Sequence, residues 1–214
     1  MEKKQPIGEY YQEGRGYCTE SRKVNDHDFA SSAEGIVNPY GIYDIKRNEG
    51  YMTLGTSKDT SEFVCDCIKD WWERYGKYLY LGATSILILA DGGGSNSSRH
   101  YIFKEDLQKL ANEIGIEIRI AHYPPYTSKY NPIEHRMFSH VTRACAKAVL
   151  TSVEVVKELT EKTSTSTGLK VFATITNKIY KTARKASADF MENRPIVADK
   201  YLGQWNYRAV PQTA

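Results

Sequence analysis

The segment Ser85-Ile-Leu-Ile-Leu-Ala-Asp91, followed at once by Gly92-Gly-Gly-Ser-Asn96, decides the fold class. An almost continuous apolar run of this length indicates a strand that is buried on both faces of a sheet. The run ends at a carboxylate, and a glycine loop follows it. In α/β proteins, ligands bind in the crevice at the carboxyl end of such strands. The sequence therefore predicts an α/β sheet with Asp91 at its ligand-binding edge.

The residues on either side of this strand supply further strands and helices. Apolar residues at alternate positions predict strands, and apolar residues three and four apart predict helices. The turn at residues 48–50 joins the first two strands into a β-hairpin, and Ser57, Asp59 or Thr60 can cap the first helix. The predicted order is β-β-α-β-α-β-α, at about residues 40–45, 51–56, 63–72, 85–90, 98–114, 116–122 and 132–148.

The two ends of the chain differ from this central region. Residues 1–38 are polar and lack apolar periodicity, so we expect an irregular N-terminal segment. Residues 39–150 form the predicted core, and residues 151–214 a small C-terminal extension of the same domain. The extension holds a short helix, a strand at residues 169–176 and an aromatic cluster, Gly203-Gln-Trp-Asn-Tyr207, that we expect to dock on the core.

Composition limits the class of protein. With 41% hydrophobic residues, a chain of 214 residues can bury a sizeable core. A formal charge of only +3 excludes binding to nucleic acid by bulk charge alone, so any DNA contact must come from local basic patches. The four cysteines lack zinc-ligand spacing, which favours a reduced, cytoplasmic setting. No apolar run is long enough to span a bilayer, so no membrane partner is expected.

Asp91 and Glu134 are the candidate catalytic acids, and each has a structural alternative. Asp91 can be a turn aspartate before a flexible loop, and Glu134 can be the acid of a capping box that begins at Asn131. A dinucleotide site is disfavoured because the glycines do not follow the G-x-G-x-x-G pattern. An acid at a strand end and a second acid on a later helix instead favour a two-metal site, since hard cations take oxygen ligands from several elements.

Five stretches of the chain resemble the ISAzo13 transposase family. They are Pro39-Tyr-Gly-Ile-Tyr-Asp, Asn48-Glu-Gly, Ala90-Asp-Gly-Gly-Gly-Ser-Asn, Pro124-Pro-Tyr-Thr-Ser-Lys-Tyr-Asn-Pro-Ile-Glu-His-Arg-Met-Phe-Ser-His and Trp205-Asn-Tyr. The resemblance implies a ribonuclease H-like mixed sheet flanked by helices, with Asp91 as the second catalytic acid and Glu134 as the third. It also implies strand cleavage and strand transfer with Mg²⁺, or Mn²⁺ in its place. The implied partners are DNA, as transposon ends and target, and further copies of the chain.

The resemblance also exposes a departure from the family pattern. Residues 2–8, Glu-Lys-Lys-Gln-Pro-Ile-Gly, resemble the family's segment just after its first catalytic aspartate. That aspartate would fall upstream of Met1, so we expect the chain to lack its first central strand and to be inactive as written. Asp44 is a poor substitute because it matches a hairpin position. The alternative function is a catalytically inactive DNA-binding or oligomerising remnant of a transposase.

Basic side chains close to the acids in sequence are candidate phosphate ligands. Arg99, Lys129, His135 and Arg136 are the predicted DNA-binding residues, with a solvated or capping role as the alternative for each. His122 is expected to pack in a loop. Trp71 and Trp72 are expected in the core, because base-stacking platforms need exposed aromatic rings beside basic residues.

Overall fold

The computed structural model describes residues 4–10, 12, 14, 19–20, 23–25, 33–124 and 126–212. The strands are β1 (Gln5–Ile7), β2 (Gly35–Asp44), β3 (Glu49–Gly55), β4 (Ser85–Asp91), β5 (Glu117–Tyr123), β6 (Lys170–Thr176), β7 (Val197–Ala198) and β8 (Asn206–Ala209). The α-helices are α1 (Ser61–Trp71), α2 (Lys77–Leu79), α3 (Tyr101–Ile114), α4 (Ser139–Cys145), α5 (Val153–Glu161) and α6 (Ala188–Asn193). Residues Trp72–Gly76 and Glu134–Phe138 form π-helical turns, and Gly94–Asn96 and Ser128–Tyr130 form 3₁₀ turns.

The described residues divide into two compact units. The first takes in residues 1–58 and 132–179, and the second residues 59–131 and 180–214. Residues 151–214 are thus shared between both units. The division of the sequence into residues 1–38, 39–150 and 151–214 stays a prediction.

The sheet of the first unit has the order β1-β2-β3-β6. Strands β2 and β3 are antiparallel, from Asn38 opposite Gly55 to Asp44 opposite Glu49, which confirms the predicted hairpin. Strand β6 joins β3 in parallel and makes the sheet mixed. The buried core of this unit is apolar and consists of Ile7, Val37, Met52, Leu54, Met137, Val141, Cys145, Leu150, Val156, Leu169, Val171 and Ala173.

The N-terminal segment is more regular than expected. Residues Gln5–Ile7 form β1, which pairs antiparallel with Gly35–Val37 of β2. A three-residue strand carries too little periodicity to be recognised in the sequence, and it is stabilised by long-range pairing. The rest of the irregular segment lies largely outside the described residues.

The sheet of the second unit has the order β4-β5-β8-β7. Strands β4 and β5 are parallel, and β8 pairs antiparallel with β5. Helix α1 begins after the N-cap Thr60, whose side chain accepts from the Phe63 N–H at 3.2 Å. Helix α3 ends at Gly115 with φ +72°, as predicted for a C-terminal glycine. Tyr207 of β8 is buried, in agreement with the predicted docking of the aromatic cluster.

Two expectations about the sheet need correction. The α/β class with mixed sheets and flanking helices is confirmed and is compatible with a ribonuclease H-like domain, but the strands form two sheets instead of one. Strand β4 is not buried on both faces, since Leu87 is 63% exposed and Leu89 is 38% exposed. Within the described residues β4 has a strand partner on one side only. An apolar run does not distinguish a central strand from an edge strand, because pairing is decided by distant residues.

The two tryptophans expected in the core differ in burial. Trp72 is buried, as predicted, and lies in the π-helical turn that follows α1, whereas Trp71 at the end of α1 is only half-buried. No helix among the described residues has the length and hydropathy needed to cross a membrane.

Candidate functional site

Asp91 is the last residue of β4 and lies half-buried at the carboxyl end of the parallel pair, opposite Tyr123 of β5. The glycines that follow leave room beside it. A Cβ atom at Gly92 would lie 3.3 Å from the indole ring of Trp205, so a side chain there would press on that ring. Gly94 has φ +58°, a left-handed conformation that favours glycine. The three glycines therefore place no side chains of their own next to Asp91, and the Trp205 ring lies against the first of them.

A buried histidine fixes the main chain at Asp91. The Nδ1 atom of His122 lies 3.1 Å from the Asp91 carbonyl oxygen, and its Nε2 atom lies 2.8 Å from the Tyr207 hydroxyl. Since a carbonyl oxygen only accepts, Nδ1 carries the proton and Nε2 accepts from the tyrosine O–H. The chain Tyr207–His122–Asp91 thus ties β8 to the end of β4.

The electrostatics of this network keep His122 neutral. Burial lowers the pKa of His122, the hydrogen bond to Asp91 opposes that shift, and the nearby Lys104 ammonium adds to it. Burial also raises the pKa of the Tyr207 phenol and lowers the pKa of Lys104. A neutral imidazole with both nitrogens engaged is a positioning group and does not serve as a phosphate-binding cation. This agrees with the expectation that His122 packs, although it lies within β5 and not in a loop.

Glu134 occupies a different local structure in the first unit. It is half-buried and opens the π-helical turn Glu134–Phe138, which runs directly into α4. Isolated π-helical turns are rare and occur often at functional sites. The face of this turn and of α4 is apolar, and Met137, Val141 and Cys145 are buried on it, as the spacing predicted.

Gly41 of β2 and Gly50 of β3 allow the π-helical turn Glu134–Phe138 to pack closely on the sheet. A Cβ atom at Gly41 would lie 2.5 Å from the Met137 Cε atom and 2.8 Å from the Phe138 ring. A Cβ atom at Gly50 would overlap the Met137 sulfur. The absence of both side chains allows the π-helical turn to lie directly on β2 and β3. Close packing against Gly41 and Gly50 therefore helps to position the backbone that carries Glu134.

The four predicted DNA-binding residues are all exposed. Arg99 and Lys129 belong to the second unit, and His135 and Arg136 to the first. Lys129 extends over the ring of Tyr130, with its Nζ atom 5.1 Å from the ring centre. Each side chain is accessible to a phosphate group.

Asp91 belongs to the second unit and Glu134 to the first. Their pairing at one site stays a prediction. Carboxylate oxygens are the donor type that Mg²⁺ and Mn²⁺ prefer, so both residues fit these cations by their chemistry. Over the described parts of the chain, no three or more histidine, cysteine, aspartate or glutamate side chains are grouped to hold a metal ion.

Sequence reasoning missed part of this arrangement. The contact of Tyr207 with His122 joins residues 85 positions apart, and no local pattern reports it. A weak signal was present, because His122 continues the inward alternation of Ile118 and Ile120 in β5. Gly41 and Gly50 also gave a signal, since a glycine inside a strand often marks the close approach of another backbone.

Comparison with known proteins identifies one family. The family model described as the Rhodopirellula transposase DDE domain matches residues 1–211. No curated protein and no solved structure matches the chain.

Proposed function

The chain belongs to this ISAzo13 family of DDE transposases, and on that premise we propose that it is a catalytic-domain fragment of a transposase, which carries two of the acids used in DNA strand cleavage and strand transfer during transposition of an insertion sequence. The observation that supports the proposal is the position of Asp91, a carboxylate at a strand end directly before a glycine loop. Ligands of α/β proteins bind at this edge of a sheet. DNA, as transposon ends and as target, is the substrate.

We propose Asp91 and Glu134 as catalytic residues that hold Mg²⁺, with Mn²⁺ able to replace it. When bound, a pair of such ions activates a water or a 3′-hydroxyl and stabilises the leaving oxygen. The other residues of the chain contribute by positioning the two acids. His122 holds the main chain of Asp91, and Met137 seats the turn that carries Glu134.

Arg99, Lys129, His135 and Arg136 are proposed to bind DNA phosphates. The small net charge favours a few local contacts over a general electrostatic attraction. These contacts orient the DNA and carry no sequence information. Affinity should therefore reside in the basic residues and chemistry in the two acids.

Salt titrations of DNA binding test this division of roles. The affinity of the chain for a duplex should fall steeply with salt, and Lys129→Ala or Arg136→Ala should each reduce the log–log slope by about 0.9. Asp91→Ala should change the affinity only weakly. Arg74→Ala, at an exposed arginine that pairs with Asp70, is the matched control and should leave the slope unchanged. Absence of binding, or binding that is independent of salt, would count against DNA as the substrate.

Metal binding tests the acids directly. Mn²⁺ binding in the presence of DNA, followed by electron paramagnetic resonance, should weaken by at least about tenfold in Asp91→Asn and in Glu134→Gln, because even the loss of an outer-shell partner of a ligand costs roughly 10–100-fold in metal affinity. Asp70→Asn, on α1, should match the unchanged chain. Equal binding in all four proteins would exclude these two residues as ligands. DNA binding with no metal dependence would support the alternative function, an inactive DNA-binding or oligomerising remnant.

We also propose that the chain self-associates. Strand β4 has a partner on one side only among the described strands, and Leu87 and Leu89 are exposed on it. Exposed apolar edge strands pair readily with other chains. Light scattering over a concentration series should show association that Leu87→Lys abolishes and that Leu202→Lys, at a leucine 72% exposed outside any strand, leaves intact. A monomer at all concentrations would overturn this proposal.

A further inference from the structure

Two tyrosines project into solvent from the segment that follows β5. Tyr126 is 99% exposed and Tyr130 is 66% exposed. An aromatic ring left in water forgoes the favourable burial of about 150 Å² or more of surface. Neither side chain is therefore explained by a contribution to the core.

The backbone conformation of Tyr126 also argues against a role for this residue in stabilising the fold. Its φ angle is +65°, in the left-handed region. For residues other than glycine this region costs roughly 1–2 kcal/mol. Glycine at this position would relieve that cost and remove no buried contact. The tyrosine thus occupies this position at a local energetic disadvantage.

Hydrogen bonds restrain the described residues of this segment at Thr127 and Tyr130. The Thr127 hydroxyl donates to the Pro124 carbonyl oxygen at 2.7 Å, and the Thr127 N–H donates to the same oxygen at 3.3 Å. The Tyr130 N–H donates to the Thr127 carbonyl oxygen at 2.9 Å. These turns follow directly after Tyr123, which is the ladder partner of Asp91. The segment that carries the exposed rings thus starts from the same edge of the sheet at which the candidate catalytic aspartate lies.

A cation accompanies the aromatic rings. The Lys129 ammonium lies 5.1 Å from the centre of the Tyr130 ring and is itself exposed. Exposed aromatic rings beside basic residues are the features with which proteins bind single-stranded DNA, since the ring stacks on a base and the cation meets the phosphate. The bases of an intact duplex hide their faces in the helical stack, so only unpaired bases can use such rings.

We propose that Tyr126 and Tyr130 form a stacking platform for unpaired nucleobases beside the DNA strand that is cut. This inference rests on the proposed function and specifies its substrate as DNA that is locally unpaired next to the scissile phosphate. Tyr126 and Tyr130 each offer a face to one base. Lys129 neutralises a phosphate of the same strand.

The chain contains a matched control for Tyr130. Tyr78 is also 66% exposed, and the Lys77 ammonium lies 5.2 Å from its ring centre. Tyr78 lies in α2, which precedes the amino end of β4, whereas Tyr130 follows the carboxyl end of β5. The two sites share exposure and chemistry and differ in their place in the fold.

The experiment compares three DNA probes of equal length by fluorescence anisotropy: a single strand, a blunt duplex and a duplex with an unpaired fork. Tyr126→Ala and Tyr130→Ala should each weaken binding of the single strand and the fork by about five- to a hundredfold, the range for loss of one stacked base. Duplex affinity should change less than about twofold. Tyr130→Phe, which keeps the ring, should bind as the unchanged chain does, and so should Tyr78→Ala. A 2-aminopurine base in the fork should be quenched by the unchanged chain and not by the alanine variants.

The outcomes separate this inference from the proposed function. Loss of single-strand and fork binding in the two alanine variants alone supports the platform. Unchanged binding in these variants, or an equal loss in Tyr78→Ala, overturns the platform and leaves transposition intact as long as the duplex binds. An equal loss on all three probes would also overturn it and would show that the segment meets only phosphates. Failure of the unchanged chain to bind any probe would overturn both.

Discussion

The two candidate acids are anchored by opposite kinds of contact. In the first unit, the backbone of Glu134 is positioned by Met137 and α4, which pack on a sheet over Gly41 and Gly50. In the second unit, the main chain of Asp91 is held by hydrogen bonds through the buried His122 and Tyr207. Helix α3, which follows Asp91 in the sequence, also buries polar side chains, namely Glu105, Asp106 and Gln108. Close packing is disrupted by added side-chain volume, and it does not depend on pH. A polar network is sensitive to the loss of any one partner and to the protonation of its members.

The chain carries reporters that separate the units. All three tryptophans, Trp71, Trp72 and Trp205, belong to the second unit, so their fluorescence follows its unfolding. Cys145 is buried in the first unit, where burial raises the pKa of its thiol to about 11. Its rate of labelling, mapped by mass spectrometry, therefore reports the opening of that unit.

The largest effect is expected at Arg184, whose guanidinium binds both carboxylate oxygens of Asp106 at 3.0 and 2.8 Å. Arg184→Leu leaves the buried carboxylate without its cation and should destabilise the second unit by about 3 kcal/mol, at the low end for a buried pair because Arg184 is partly exposed. Urea unfolding followed by tryptophan fluorescence measures this. The double variant Arg184→Leu/Asp106→Leu should recover part of the loss. A double variant that loses the sum of both single losses would show that the pair is not coupled.

Gly41→Ala should destabilise the first unit by about 1–3 kcal/mol, because Met137 and Phe138 must move to admit the methyl group. Cys145 labelling should accelerate accordingly, while the tryptophan transition stays unchanged. Gly35→Ala is the matched control, since a Cβ atom there meets nothing within 4 Å. Equal labelling rates in both variants would show that close packing at Gly41 does not hold the segment.

Tyr207→Phe removes the hydroxyl that donates to His122 and should cost about 1 kcal/mol, the usual contribution of one such hydrogen bond. The tryptophan transition should move, and Cys145 labelling should not. Tyr201→Phe, at a tyrosine 73% exposed, controls for loss of a hydroxyl. A Cys145 response to Tyr207→Phe as large as that to Gly41→Ala would contradict the separate anchoring of the two acids.

The smallest effect is expected from protonation of Glu105, which should lower the free energy of unfolding of the second unit at acid pH. Burial would raise the pKa of Glu105, but its hydrogen bonds with Lys109 and with the Ser187 N–H outweigh that and lower the pKa from its usual 4.5. The stabilisation is therefore complete above that value and is lost as the pH falls through the lowered value. Unfolding followed by tryptophan fluorescence should show this loss of stability at acid pH, and Glu105→Gln should make the loss smaller. An acid profile of Glu105→Gln that matches the profile of the unchanged chain would show that Glu105 does not contribute to the loss.

Local patterns predicted most of the regular structure. The hairpin of β2 and β3, the stop at Gly115 and the alternation in β5 follow from contacts within a few residues, and all three are confirmed. The sequence offered Ser57, Asp59 and Thr60 as caps of the first helix, and the structure selects Thr60. The exposure of Leu87 was not predictable, because hydropathy records that a strand is apolar and not which neighbours cover it. The exposure of Tyr126 and Tyr130 was not predictable for the same reason, because residue type alone does not show whether a side chain is covered.

The sequence by itself determined the family, most of the longer helices and strands, and the candidate residues Asp91 and Glu134, because motifs, caps and periodicity depend on near neighbours along the chain. The tertiary structure decided how the strands are shared between two sheets, that β6 joins β3 and that β8 joins β5. It also placed Tyr207 on His122 and Met137 over Gly50. These contacts join residues far apart in sequence, where backbone hydrogen bonding and packing volume select the partners and no local pattern records the choice.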